Sequence, residues 1–115
     1  MPRAPTTTDA FNAIAEPRRR AIIGLLAKRG ALAVGAIVAA LGFPQPDVSK
    51  HLAVLREVGI VSVSQDGRQR VYQLEAESLK SVHDWVKAFE QFWSHQMDRI
   101  KERAEKKVAE KKSDH

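Results

Sequence analysis

The hydrophobic pattern of this chain changes period twice, and few folds accommodate both changes. From Phe11 to Val58 apolar residues recur at spacings of three and four, as on one side of a helix. In IVSVSQ and RQRVYQL they alternate instead, with Asp66-Gly67 between the runs. Asp-Gly suits the two-residue turn of a β-hairpin, because glycine takes a positive φ at no steric cost. Such a hairpin puts Val61, Val63, Arg70, Tyr72 and Leu74 on one face of the ribbon. From about Ser78 the helical period returns through Leu79, Val82, Val86, Phe89, Trp93, Gln96 and Ile100, widened by Trp85, Phe92 and Met97.

The helical part divides at its prolines and glycines. TDAFNAIAE predicts a first helix with Thr8 or Asp9 as N-cap and Phe11, Ile14 and Ala15 on one face. Pro17 opens a second, which buries Ile22, Ile23, Leu25 and Leu26 and stops at Gly30. A third runs from about Val34 to Leu41, with Gly42 as its cap. After the tight connection GFPQP, Pro46 opens a fourth, DVSKHLAVLREV, whose inner face is Val48, Leu52 and Leu55 and which ends at Gly59. Two short helices joined by about four residues form a helix-turn-helix, and the hairpin adds a wing. The expectation is a mainly α fold with a two-stranded β wing: an arm over residues 1–8, one winged helix-turn-helix domain over 9–100, and a charged helix end and tail over 101–115.

Composition removes several classes of function. With no cysteine there is no disulfide, thiolate metal site or cysteine nucleophile. MPRAPTTTDAF lacks the apolar core of a signal peptide and no stretch is apolar enough to span a membrane, which predicts a cytoplasmic protein. No Ser/His/Asp, phosphate-loop or paired-carboxylate spacing is present, so neither catalysis nor a cofactor is expected. The formal charge of +5 is unevenly spread. Residues 1–74 hold ten Lys/Arg against five Asp/Glu, whereas residues 75–115 hold nine of each. The excess lies where phosphates would be met.

The start of the fourth helix is the candidate reading surface. With Val48, Leu52 and Leu55 inward, Gln45, Asp47, Ser49, Lys50 and His51 project outward near the helix start. Gln45 and Ser49 suit base edges, Lys50 a guanine or a phosphate, and His51 either role. The rival reading for each is an ordinary solvated polar residue, and the whole arrangement favours the DNA role for Ser49, Lys50 and His51. Asp47 would repel phosphates and is expected to cap the helix. Arg68 and Arg70 on the wing can follow the DNA backbone or minor groove, although Arg70 shares a face with Tyr72 and could lie across the domain surface. Arg18-Arg19-Arg20 opposes the macrodipole of the second helix, so Arg18 and its neighbours need either phosphate or an acid such as Glu16. Trp85, Phe89, Phe92 and Trp93, with Met97 and Phe11, supply more apolar area than one small domain covers, which predicts a homodimer through the terminal helices.

FNAIAEPRRRAIIGLLAKRG followed by VGAIVAALGFPQPDVSKHLAVLREVGIVSVSQDGRQRVYQL resembles the ArsR-type (ArsR/SmtB) family of winged-helix repressors, over about residues 9–100. The resemblance implies a dimeric repressor on an inverted-repeat operator in double-stranded DNA, in the bacterial cytoplasm or nucleoid, with Gln45, Ser49, Lys50 and His51 at the base-contacting end. Many members sense metals, and here the pattern departs. The thiolate site lacks its cysteines. At the terminal-helix site His83 stands at the expected histidine, but Ser81 replaces the aspartate, and the downstream pair falls on Ser94 and Met97. One residue turns a helical side chain by about 100°, so His95 and Asp98 are out of register. No family metal site is expected; His83, Asp84, His95 and Asp98 are the residual candidates. Two rival readings stay open: a metal-responsive repressor using His83 and His95, and a winged-helix module that docks protein.

Overall fold

The computed structural model describes residues 9–113; the arm expected over residues 1–8, and Thr8 as a cap, lie outside them. Asp9 accepts a hydrogen bond from the backbone of Asn12 and opens α1 (Ala10–Ile14). Glu16 takes the same role for α2 (Pro17–Arg29), its carboxylate accepting from the amides of Arg18 and Arg19. Leu32–Ala33 form a short strand β1, followed directly by α3 (Val34–Leu41) and α4 (Gln45–Val58). The wing is β2 (Val61–Asp66) and β3 (Gln69–Leu74). A 3-10 turn over Ala76–Leu79 leads into α5 (Lys80–Lys87) and α6 (Glu90–Ser113). The chain packs as two units that divide between Val82 and His83.

The first unit has one core, and it is the one the helical spacing predicts. Ile22, Ile37, Val48, Leu52, Leu55 and Ile60 are all fully buried. Ile23, Leu25, Val38 and Leu41 pack against them while partly exposed. Each fully buried aliphatic side chain stabilises the fold by roughly 1.5–3 kcal/mol, so the three from α4 anchor that helix firmly. Its far end is fixed too. Gly59, at φ 92°, ends α4 in the left-handed conformation, where a side chain would be strained. The amide of Ile60 donates to Leu55 O at 2.9 Å, that of Glu75 to Ile60 O at 2.7 Å, and Ser78 Oγ to Gly59 O at 2.6 Å.

The wing differs from expectation in two respects. Leu32–Ala33 pair with β3, giving a three-stranded antiparallel sheet in the order β1-β3-β2. A two-residue strand is too short to show alternation. The hairpin loop is Gly67-Arg68 rather than Asp66-Gly67, because Asp66 pairs with Gln69 and Val63 with Tyr72. Gly67 takes φ 62° and Arg68 does not have a positive φ, the arrangement of a hairpin turn with glycine at its first central position. The register is therefore shifted by two residues, which preserves every side chain's face. Val61, Val63, Tyr72 and Leu74 still share one face, and Arg68 moves into the tip.

The second unit is not the single unbroken helix that the stripe suggested. Ala88 and Phe89 form a turn, with i to i+3 bonds from Ala88 N to Trp85 O, from Phe89 N to Val86 O and from Phe92 N to Phe89 O. No glycine or proline marks the break. Beyond it α6 runs through the charged segment to Ser113, where Lys101 and Glu105 pair at 4.0 Å one turn apart.

Candidate nucleic-acid interface

α4 separates its two sides cleanly. Val48, Leu52 and Leu55 are 0% exposed, whereas Gln45, Ser49 and Lys50 are exposed on the opposite side of the first turns. The helix starts one residue earlier than Pro46 suggested, with Pro46 in its first turn and Pro44 at the cap position. Pro44 offers no side-chain cap, and neither does Asp47, which corrects the role expected for it. The Asp47 carboxylate instead pairs with the Arg18 guanidinium, whose carbon lies 4.9 Å from the centre of the Phe43 ring. An exposed ion pair contributes about 0–1 kcal/mol, and such a cation–π contact about 0.5–1 kcal/mol. The larger consequence is electrostatic: the one carboxylate in the first turn of α4 is offset by a cation.

His51 does not project outward. Its side chain is only 16% exposed, and its Nε2 lies 3.8 Å from the carboxylate of Glu16. Its Nδ1 has no hydrogen-bond partner among the described residues. Three residues after Val48 and four before Leu55, position 51 borders the inner stripe of the helix. The histidine therefore packs towards the start of α2.

The basic run at that start has a local explanation. Arg19 donates from Nε to Ala13 O at 2.6 Å and from a terminal nitrogen to Asn12 O at 3.2 Å. Arg20 donates to Ile14 O at 2.6 Å and Ala15 O at 3.2 Å. These are carbonyls at the C-terminal end of α1, of which Asn12 O also accepts from the amide of Ala15 at 3.2 Å. Arg18 goes to Asp47, so neither phosphate nor Glu16 alone accounts for the run.

On the wing, Arg68 occupies the turn and Arg70 lies on β3 opposite Gln65, both exposed. Arg70 and Tyr72 join Ala53, Arg56 and Glu57 of α4 around an open groove of about 470 Å³. Arg56 was absent from the sequence reading. Its signal was available, since Ser49, Ala53 and Arg56 lie at helical spacings of four and three. At the base of the wing Glu75 accepts from Ser62 Oγ at 2.6 Å and Gln73 Nε2 at 3.2 Å. The Ser62 bond first, and Gln73 second, hold its carboxyl below the usual range.

The second unit carries the aromatic set. Trp85, Phe92, Trp93 and Met97 are half to two-thirds exposed and Phe89 38%, while Phe11 on α1 is 39% exposed. Trp85 and Phe89 meet edge to face at 5.1 Å. His83 and Asp84 lie on α5, His95 and Asp98 on α6, all exposed. Among the described residues no three His, Asp or Glu side chains gather closely enough to share a metal ion. Among them, too, no helix is long and apolar enough to cross a membrane.

Comparison with known proteins places this architecture. The family profile described as bacterial regulatory protein, arsR family, matches residues 16–63. An uncharacterised HTH-type transcriptional regulator of Methanocaldococcus jannaschii is 32% identical over 71% of this chain and 92% of its own length. The transcriptional repressor SdpR of Bacillus subtilis is 31% identical over 70% of this chain and 89% of its own. Among solved structures, an ArsR-family transcriptional regulator superposes with a TM-score of 0.59 at 30% identity, over 73% of this chain and 86% of that one. The transcriptional repressor BigR of Xylella fastidiosa does so with 0.55 at 31%, over 69% and 81%. With α3 and α4 as its helix-turn-helix and β2–β3 as its wing, the chain belongs to the arsR family of bacterial regulatory proteins, which are transcriptional regulators and not enzymes.

Proposed function

We propose that the chain is a homodimeric repressor that binds an inverted-repeat operator in the bacterial cytoplasm, without the family's usual metal sites. The observation that carries this reading is the division of α4: three fully buried aliphatic residues hold it to the core while Gln45, Ser49 and Lys50 stand exposed at its start. A helix held that way can enter the major groove with its first turns against base edges. The Arg18–Asp47 pair supports it by removing the repulsion that an unpaired carboxylate would bring. Arg68 and Arg70 then add affinity along the backbone with little base selectivity. Arg18 acts through Asp47, and His51 supports the helix from below rather than reading bases. Repression is the role of the relatives SdpR and BigR.

Dimerisation follows from the aromatic residues of α5 and α6. Burying one such ring contributes roughly 2–3 kcal/mol, and Trp85, Phe89, Phe92, Trp93 and Met97 lie within thirteen residues. Phe11 is a further candidate for that interface. In this arrangement residues 9–100 serve binding and assembly, and residues 101–115 form a charged extension. The test is DNase footprinting and sedimentation with a duplex from upstream of the chain's own gene. Two chains per duplex are expected, protecting half-sites about one helical turn apart. One chain per duplex, or equal binding to a scrambled duplex, contradicts the reading.

A further inference from the structure

The outward line of α4 continues past Lys50. Ser49, Ala53 and Arg56 share one face of the helix, and β3 lies beside it. Alternation along β3 brings Arg70 and Tyr72 to the same side of the strand, and both line the groove with Ala53, Arg56 and Glu57. Ala53 adds only a methyl group to that lining. Among the described residues, the ion pairs involve neither Arg56 nor Arg70, in contrast to Arg18, Arg19 and Arg20, which all have partners within the chain. Two exposed arginines around one groove, with Glu57 as the only acid in its lining, leave a single net positive charge with no anion to meet it.

We infer that Arg56 and Arg70 together clamp a single phosphate of the DNA backbone, seated in the groove between α4 and β3. The inference rests on the DNA-binding reading above and adds Arg56 to its contacts. Arg56 lies seven residues beyond Ser49, about 10 Å along the helix axis. The major groove is about 12 Å wide, so a helix reading bases with Ser49 brings Arg56 to the groove's edge, where the backbone runs. A phosphodiester carries one negative charge and only acceptor oxygens, which matches two planar guanidinium forks approaching from opposite sides. The Tyr72 hydroxyl can add a third donor. A small anion could satisfy the same chemistry, but the groove is continuous with the reading face, and a seated duplex fills it.

The experiment measures binding of the full chain to the upstream duplex and to a scrambled duplex of equal length, across a salt series. Arg56→Gln and Arg70→Gln should each weaken binding to both duplexes alike, by about tenfold. Each should lower the slope of log K against log salt by about 0.9 per protomer. Because one phosphate is shared, the double variant should lower the slope no further. Unchanged slopes, a loss of about 1.8 per protomer in the double variant, or a loss confined to the upstream duplex would each overturn the clamp. Circular dichroism melts check the fold. Should Arg56→Gln melt early, Arg56→Lys carries the test: it should retain the slope and lose affinity, and a fully retained affinity overturns the clamp. Wild-type protein that binds neither duplex removes the DNA reading and the clamp together; wild-type binding with unmoved slopes in the variants removes the clamp alone.

Discussion

The two units of this molecule both carry apolar stripes at helical spacing, but they differ in how far those stripes are buried. Between Ala10 and Val82 the apolar residues close over one another, and ten of them are buried. From His83 onward none of the residues described is buried, although the segment holds two tryptophans and two phenylalanines. The first unit satisfies its hydrophobic surface within one chain. The second displays its surface at helical spacing. Helical spacing alone therefore does not tell a buried stripe from an exposed one. α4 has α1, α2, α3 and β2 against it, and its stripe is dry.

That contrast can be broken by substitution. Leu52→Ala, in the covered unit, should lower the unfolding free energy by about 2–5 kcal/mol in denaturant melts. A loss below about 1 kcal/mol would show that the helix is not anchored as described. Phe89→Glu, in the other unit, should instead act on assembly, raising the dimer dissociation constant by about 100-fold, which corresponds to one buried ring. Sedimentation that still shows a tight dimer would place the interface elsewhere. The smallest effect belongs to Glu75. Its carboxyl is held below its ordinary value of 4.5, first by the Ser62 hydrogen bond. Such a group contributes stability that is fully present above the ordinary value and lost as pH falls through the lowered one. Glu75→Gln should therefore flatten the acid side of the melting profile between these two values. An unaltered profile would show that the wing base does not depend on this charge.

Much of the fold was legible because it is written in spacing. Val48, Leu52 and Leu55 announce the inner face of α4, and Gly30, Gly42 and Gly59 end their helices where expected. The hairpin's faces survive a misplaced turn because a shift of two residues keeps parity. Three features were hidden for physical reasons. β1 is too short to alternate, and the break at Ala88–Phe89 carries no breaker residue. The partners of Arg19 and Arg20 depend on where α1 ends relative to α2, and that of Arg18 on where α4 starts, which no local pattern encodes. His51 is set beside the buried stripe by its spacing from Val48 and Leu55, so it does not project outward. Arg56 lies two turns past the exposed start of α4, and only the fold brings it to one groove with Arg70 and Tyr72.

If the exposed start of α4 distinguishes one DNA sequence from another, the ratio of affinities for the upstream and scrambled duplexes reports it. Replacing Ser49 and Lys50 together with alanine should cut that ratio by about 100-fold while leaving the melting temperature and the dimer unchanged. A ratio equal to that of the wild type would show that these residues do not face the bases.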